Sequence, residues 1–173
     1  GMHIQKELKS GGGVDSATRS DIKQSLDRLN KLNDSTEGFD PAEVKRELQE
    51  CMQNYFGVFR RGEFMKKGLD QLNEIKEKVD NLHLKDKSDA FNTSRVEAIE
   101  LQNLFEVAEA TAVSAYVRNE SRGAHARDDF PERDDENWLC HTIFDPKNKE
   151  VSKRDVNFQP SQVEAFPPKV RTY

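Results

Sequence analysis

Residues 122–138 hold the densest group of side chains that could do chemistry. Arginines alternate there with carboxylates, and His125, Phe130 and Trp138 lie among them. A guanidinium pairs with a carboxylate through two parallel hydrogen bonds, and this pairing suits a contact surface. We therefore expect a contact with another domain or subunit here, with a plain solvated loop as the alternative. The candidate contact residues are Arg122, His125, Arg127, Asp128, Arg133 and Trp138.

The spacing of the reactive residues favours neither nucleophilic catalysis nor metal binding. Ser121, His125 and Asp128 are the residue types of a catalytic triad, but no nucleophile-elbow glycine pattern surrounds the serine. His125, Cys140 and His141 match no zinc spacing, and adjacent residues of a strand point to opposite faces. We predict no catalytic residue, no cofactor-binding residue and no metal ligand in this chain.

The composition is that of a charged, acidic chain with little apolar material for a core. The 173 residues carry a net charge of −5, and 34% of them are hydrophobic. The acidic balance argues against nucleic acid as a partner, because phosphate binding needs clustered Lys and Arg. No apolar stretch is long enough to cross a bilayer, so we expect no direct membrane insertion. Two cysteines, Cys51 and Cys140, favour a reducing compartment with free thiols.

Helical periodicity dominates the middle of the chain. Apolar residues at 22, 26, 29 and 32 form one stripe, which predicts a first, shorter helix. Asp40 followed by Pro41 is a strong start signal for a second helix. A third helix is predicted over residues 63–82, and a fourth from about Asn92 to about Arg118. Short connections between the last three helices predict an antiparallel three-helix bundle of the spectrin-repeat type.

The pattern changes after Glu120. Two β-compatible runs, residues 138–144 and 151–158, flank a turn at 146–149, and this arrangement predicts a β-hairpin. The predicted fold is mainly α, with the helical bundle followed by a small irregular C-terminal domain that contains the hairpin. The predicted boundaries are 1–13 for a tag scar, the tail of a preceding helix and a glycine linker, 14–121 for the bundle, and 122–173 for the small domain.

Long contiguous motifs of the chain resemble the C-terminal region of the succinate dehydrogenase flavoprotein subunit. The runs that carry the resemblance are ESRGAHARDDFP (residues 120–131) and RDDENWLCH (residues 133–141). Shorter similar runs are LQECMQ (48–53), VFR (58–60) and FNT (91–93). The ending AFPPKVRTY (165–173) resembles the terminus of the proteobacterial form. Fumarate reductase flavoproteins and L-aspartate oxidases carry relatives of the same motifs.

The resemblance implies a parent enzyme of known chemistry. Such a parent oxidises succinate to fumarate in the tricarboxylic acid cycle and passes electrons from FAD through an iron–sulfur subunit to quinone. The implied partners of this chain are the flavin-binding domain of the same subunit and the iron–sulfur subunit. The implied location is peripheral, on the cytoplasmic side of the bacterial inner membrane. Residues 2–8 resemble the tail of the flavin domain's last helix.

The family's functional residues precede the region that this chain resembles. They are the histidine that carries flavin, the arginine that donates a proton, and the histidine and arginine that hold the dicarboxylate. The resemblance therefore implies that FAD belongs to the parent subunit and that this chain alone is inactive. Two alternatives remain open: the C-terminal region of a fumarate reductase or L-aspartate oxidase, and a helical adaptor that is not an enzyme.

Overall fold

A computed structural model describes residues 18–166 and residue 169. The expectations for residues 1–13 and for the last four residues lie outside this range. The described elements are α1 (Arg19–Asp34), α2 (Pro41–Phe56), β1 (Phe59–Arg60), α3 (Gly62–Asp80), α4 (Thr93–Val117), β2 (Ala126–Arg127), α5 (Asp135–Trp138), β3 (Cys140–Asp145) and β4 (Glu150–Asp155). The chain divides into two compact units between Thr36 and Glu37. The predicted boundary between residues 121 and 122 stays a prediction.

Helix α1 belongs to the first unit and begins with a capping box. The backbone N–H of Asp21 donates to Thr18 Oγ1 at 3.2 Å, and the N–H of Thr18 donates to Asp21 Oδ2 at 2.8 Å. This reciprocal pair satisfies backbone donors that a helix start leaves without partners. The predicted first helix is confirmed, and two residues of its apolar stripe, Ile22 and Leu26, are exposed.

Two helices of the second unit begin with a side chain that caps their first turn. Asp40 accepts from the N–H of Ala42 at 2.9 Å, and Pro41 takes the first helical position of α2. Asn92 accepts from the N–H of Arg95 at 2.8 Å at the start of α4. At each start, a side-chain oxygen accepts from one backbone N–H that lacks a helical partner. The predicted second helix is therefore confirmed with its start signal, and the predicted fourth helix is confirmed.

Helices α2, α3 and α4 pack against one another and enclose the core. The N–H of Phe39 donates to the carbonyl of Asn81 at 2.9 Å, and the N–H of His83 returns a bond to the carbonyl of Phe39. These bonds join the start of α2 to the end of α3, so the two helices run antiparallel. Large core residues that are almost fully buried are Val44, Leu48, Cys51, Met65, Leu72, Ile75, Leu101 and Phe105. The predicted helical bundle is confirmed.

The predicted hairpin is also confirmed. Strands β3 and β4 pair antiparallel, with Cys140 opposite Asp155 and Asp145 opposite Glu150. Lys149 closes the turn with a positive φ of 61° and donates its N–H to the carbonyl of Asp145 at 2.9 Å. Strand β3 packs against α4. Within residues 18–166, no helix is long and apolar enough to cross a membrane.

Candidate functional site

Residues 122–138, which we call the charged segment, are held at one end of the bundle by a short parallel strand pair. Strand β1 pairs with β2 so that Phe59 lies opposite Ala126 and Arg60 lies opposite Arg127. The N–H of Asp128 extends the pairing by donating to the carbonyl of Arg60 at 2.8 Å. Because β1 joins the end of α2 to the start of α3, this pairing brings residues 125–129 to the ends of both helices.

Arg127 is the most deeply buried member of the charged segment, with 3% of its surface exposed. Its Nη1 donates to the carbonyls of Tyr116 and Arg118 at 3.0 and 3.1 Å, at the end of α4. Its Nε and Nη2 form two parallel hydrogen bonds with the carboxylate of Asp129, both at 2.7 Å. The guanidinium thus neutralises the negative end of α4 and one carboxylate together.

Asp129 connects Arg127 to the start of α3. Its Oδ2 accepts from the backbone N–H of Gly62 at 2.9 Å. The hydrogen bonds from Arg127, and then the one from Gly62, hold the pKa of Asp129 well below its usual range. A carboxylate is favoured there, since the N-terminus of a helix carries partial positive charge.

Arg60 and His125 join the end of α2 to the end of α4. Arg60 Nε donates to the carbonyl of Gly57 at 3.0 Å, and Nη1 lies 2.7 Å from His125 Nδ1. His125 Nε2 lies 3.3 Å from the carbonyl of Arg118. Burial lowers the pKa of His125, and the charges of Arg60, Arg127 and Arg118 lower it further. The partners assign a neutral ring, in which Nε2–H donates to the carbonyl and Nδ1 accepts from Arg60.

Glu120 is a fully buried carboxylate, with 0% of its surface exposed. It accepts from Arg122 Nε at 2.8 Å, from the backbone N–H of Asp134 at 2.9 Å and from Arg118. Burial alone would raise the pKa of Glu120, but these hydrogen bonds outweigh it and lower the pKa. A buried charge of this kind is tolerated only when its lone pairs are satisfied by well-placed donors.

Arg118 connects Glu120 to the hairpin. Its guanidinium donates to the carbonyls of Trp138 and Cys140 at 2.9 and 2.5 Å, and it stacks 5.1 Å from the centre of the Trp138 ring. The Nζ of Lys153 lies 3.6 Å from the centre of the same ring. The indole is therefore contacted by two cations, which an electron-rich ring face attracts.

A second chain of ion pairs runs outward from Glu120. Arg122 Nη2 donates to Asp135 Oδ1 at 2.6 Å, and Arg133 Nη2 donates to the other oxygen of Asp135 at 2.9 Å. The remaining fork nitrogen of Arg133, Nη1, donates to the carbonyl of Lys169 at 2.6 Å. Asp135 thus bridges two arginines, and the chain of contacts reaches from the buried Glu120 to a residue near the C-terminus.

The structure brings the six candidate residues to one end of the bundle but gives them different roles. Arg127 is buried, and Trp138 is half-buried beside Arg118. Asp128 is exposed and pairs with Arg61 at 3.0 Å. Beside them Phe59 is 79% exposed. Buried and exposed side chains are therefore interspersed along the charged segment.

Sequence reasoning missed four residues on which the site depends, namely Arg60, Arg118, Glu120 and Asp129. One local signal was available, since Arg118, Glu120 and Arg122 alternate in charge at every second position. Alternate residues of an extended segment lie on the same side, where opposite charges can pair. No local signal indicates the contact between Arg60 and His125, which are 65 positions apart.

A groove of about 1240 Å³ opens beside the charged segment, and we call it the arginine groove. It lies between β1 and the loop that carries Arg122 and Arg133. Its lining residues are Phe59, Arg61, Ser121, Arg122, Gly123, His125, Ala126, Arg127, Asp128, Pro131, Glu132, Arg133 and Lys169.

Comparisons with known proteins identify the class of protein to which this chain belongs. Residues 45–173 match the family model described as fumarate reductase flavoprotein C-term. The succinate dehydrogenase flavoprotein subunit of Coxiella burnetii is 42% identical over 171 residues, which cover 99% of this chain and 29% of that relative. The fumarate reductase flavoprotein subunit of Mycobacterium tuberculosis is 31% identical over 173 residues, which cover 99% of this chain and 29% of that relative.

A solved structure agrees with these matches. Quinol fumarate reductase from E. coli superposes with a TM-score of 0.75 at 32% identity, over 90% of this chain and 27% of that chain. The chain therefore belongs to the C-terminal family of succinate dehydrogenase and fumarate reductase flavoproteins, and the resemblance of its motifs is confirmed. It spans about 29% of the length of the curated relatives it matches.

Proposed function

We propose that this chain is the C-terminal structural and docking part of a succinate dehydrogenase flavoprotein subunit. The observation that carries the proposal is the 42% identity with the Coxiella burnetii subunit over 99% of this chain. The parent oxidises succinate to fumarate in the tricarboxylic acid cycle and passes electrons through FAD and an iron–sulfur subunit to quinone. The role of this chain is to support the flavin-binding part and to help form the subunit's contact surface.

We propose that the described residues do not bind a dinucleotide such as FAD. In the Rossmann-type site, a dinucleotide binds where a strand, a glycine-rich loop and a free helix N-terminus follow one another in sequence. Among residues 18–166, the step from β1 to α3 is a strand followed by a helix start, but the Asp129 carboxylate already accepts from the N–H of Gly62 there. In our proposal, FAD is bound by the flavin-binding part of the parent subunit.

The exposed residues at the charged end of the bundle form the proposed docking surface. Val58 and Phe59 expose apolar side chains there, and Arg61 and Asp128 form an exposed ion pair beside them. Hydrogen bonds of Arg60, Arg127 and Asp129 hold this surface in place. An apolar centre with a charged rim is the usual composition of a protein interface. The flavin-binding part and the iron–sulfur subunit are the proposed partners.

A fumarate reductase flavoprotein is the second candidate. Its support is the TM-score of 0.75 with E. coli quinol fumarate reductase and the 31% identity with the Mycobacterium tuberculosis subunit. The two candidates share a fold and a cofactor, and they differ in the direction in which the parent works. Rates of succinate oxidation and fumarate reduction by the assembled parent separate them.

The parent complex is proposed to be peripheral to the cytoplasmic side of the bacterial inner membrane. Two solved neighbours, E. coli quinol fumarate reductase and a quinol-fumarate reductase with menaquinol molecules, carry quinol or menaquinol in their names, which supports this proposal. In our proposal, other subunits of the complex attach this chain to the membrane.

The docking role is tested by mixing the chain with a separately produced flavin-binding part and measuring binding by calorimetry. Phe59→Asp should weaken binding on the order of tenfold, because a charge replaces an apolar anchor. Phe91→Asp is the matched control, since Phe91 is fully exposed but precedes the opposite end of the 25-residue helix α4. Equal affinities for all three proteins would contradict the proposed surface.

A further inference from the structure

The His125 ring lies between a cation and a backbone carbonyl. Arg60 Nη1 lies 2.7 Å from Nδ1 of the ring, and the carbonyl of Arg118 lies 3.3 Å from Nε2. A guanidinium keeps its charge in proteins and can only donate hydrogen bonds, so Arg60 can bond to Nδ1 only while that nitrogen has no proton. The arrangement therefore requires a neutral ring, and a proton on Nδ1 would set two donors against each other.

The cations around the ring come from three parts of the fold. Arg60 lies on β1, Arg127 on β2, and Arg118 directly after α4. Arg127 and Arg118 each pair with a carboxylate. Among the described residues, Arg60 has no carboxylate within ion-pair distance, so its charge faces the ring without a neutralising partner. A positive ring would therefore be repelled most directly by Arg60.

An open cavity of about 670 Å³ lies beside the ring, between α4 and β3. Its lining includes three further titratable groups, Glu106 of α4 and Cys140 and His141 of β3. Glu106 is the carboxylate of this lining, and it is exposed. A protonated ring therefore has room to turn away from Arg60, towards a side that water and a carboxylate reach.

Arg60 is anchored to the end of α2 independently of His125. Its Nε donates to the carbonyl of Gly57 at 3.0 Å, and its Nη2 donates to the carbonyl of Phe56 at 3.2 Å. The second hydrogen bond of the ring, to the carbonyl of Arg118, is longer at 3.3 Å. When the bond between the two side chains is lost, we therefore expect the ring to move and Arg60 to stay.

The backbone of His125 transmits this movement to the strand pair. His125 closes a turn with Arg122, in which each residue donates its N–H to the carbonyl of the other. The next residue is Ala126 of β2, which lies opposite Phe59 of β1. Each of the two strands has only two residues, so displacement of the turn removes the partner of β1.

We propose that His125 is a proton-operated switch, whose protonation opens the β1–β2 pair and releases the docking surface that contains Phe59. This regulation rests on the proposed docking role of that surface. Burial and the surrounding cations lower the pKa of His125 from 6.5, so the pair is closed at neutral pH and opens only in acid.

NMR of the chain alone tests the opening as the pH is lowered from about 7.5 to about 5. The N–H of Asp128 donates to the carbonyl of Arg60 at 2.8 Å. Its protection from exchange, relative to an unfolded chain at the same pH, should fall on the order of tenfold with the same midpoint as the ring titration. The amide of Leu72, in the core, should keep its protection.

The native chain is sufficient for this measurement, so it does not depend on a variant that folds. A ring that titrates while the Asp128 amide stays protected would overturn the proposal. So would a ring that stays neutral until the whole chain unfolds.

Calorimetry with the separately produced flavin-binding part measures the consequence for docking. The native chain should bind on the order of tenfold more weakly at about pH 5.5 than at about pH 7.5, and His125→Gln should lose less affinity. His141→Gln, at an exposed position on β3, is the matched control and should keep the native response. Equal losses in the native chain and His125→Gln would refute the switch. An absence of binding at the higher pH would contradict the docking role instead, and the NMR titration would still decide whether the pair opens.

Discussion

At the scale of single residues, three helix ends meet at one end of the bundle, and each has a side chain of the opposite charge. Arg60 lies at the C-terminus of α2 and Arg127 at the C-terminus of α4, where carbonyls lack helical partners. Asp129 lies at the N-terminus of α3, where N–H groups lack partners. Each charge sits where the helix dipole favours it, so the three residues stabilise the meeting point together.

Replacing Arg127 should be the most damaging change in this cluster. Arg127→Ala leaves Asp129 without its bidentate partner and buried carbonyls without a donor, so the free energy of unfolding should fall by about 3 kcal/mol. Arg61→Ala removes only the exposed pair with Asp128 and should cost less than about 1 kcal/mol. Urea denaturation of both variants measures the difference, and equal losses would contradict the structural role of Arg127.

His125 predicts a pH dependence whose sign follows from its surroundings. The charged groups that face it are the cations Arg60, Arg127 and Arg118, and its pKa is lowered from 6.5 in the fold. The unfolded chain therefore binds a proton more readily, and the stability that His125 contributes is complete above about pH 6.5 and is lost as the pH falls below that value.

The test compares urea midpoints at about pH 7.5 and about pH 5.5. The native chain should lose more stability over this interval than His125→Gln, whose amide can donate to the carbonyl of Arg118 but does not titrate. His141→Gln, at an exposed position on β3, is the control and should retain the native pH dependence. A His125→Gln chain with the native pH dependence would contradict the assigned neutral ring.

At the scale of elements, the close approach of α2 and α3 depends on one glycine. A Cβ atom at Gly68 would lie 2.6 Å from both Tyr55 Cβ and Phe56 Cε2. Cys51 Sγ lies 3.6 Å from the carbonyl of Gly68. Burial raises the pKa of the Cys51 thiol to about 11. The helices are therefore in contact at backbone level where Gly68 lies.

Gly68→Ala should destabilise the bundle although alanine is the better helix former. Overpacking costs about 1–3 kcal/mol, which outweighs a helix-propensity gain of about 1 kcal/mol. Asn73→Ala, on the exposed side of α3, is the control and should leave stability unchanged or raise it. Thermal unfolding of both variants decides the matter, and a stabilised Gly68→Ala chain would refute the close approach.

The elements were predictable from sequence wherever their signals are local. Asp40 with Pro41 fixed the start of α2, and the turn at residues 146–149 fixed the hairpin, since both depend on neighbouring residues. The parallel pairing of β1 with β2 was not predictable, because each strand has two residues and they are far apart in sequence. Likewise the sequence alone would place Glu120 on the surface, and only the structure shows that it pairs with Arg118 and Arg122.

At the scale of the whole molecule, we propose that the bundle and its charged segment support a larger enzyme. The chain covers 29% of the Coxiella burnetii subunit, and the family match extends through the charged segment to residue 173. Buried ion pairs cost desolvation energy and are weak evidence for added stability. We propose that they are used here to hold the exposed residues of the docking surface in one arrangement.

We propose that this chain completes a flavoprotein without binding the flavin itself. The most direct test is a visible absorbance spectrum of the purified chain, recorded before and after it is mixed with the flavin-binding part of the parent subunit. We predict no flavin bands for the chain alone. After mixing, gel filtration should isolate a stable complex that shows flavin bands. Flavin bound by the chain alone, or a flavin-binding part that never associates with it, would contradict the account.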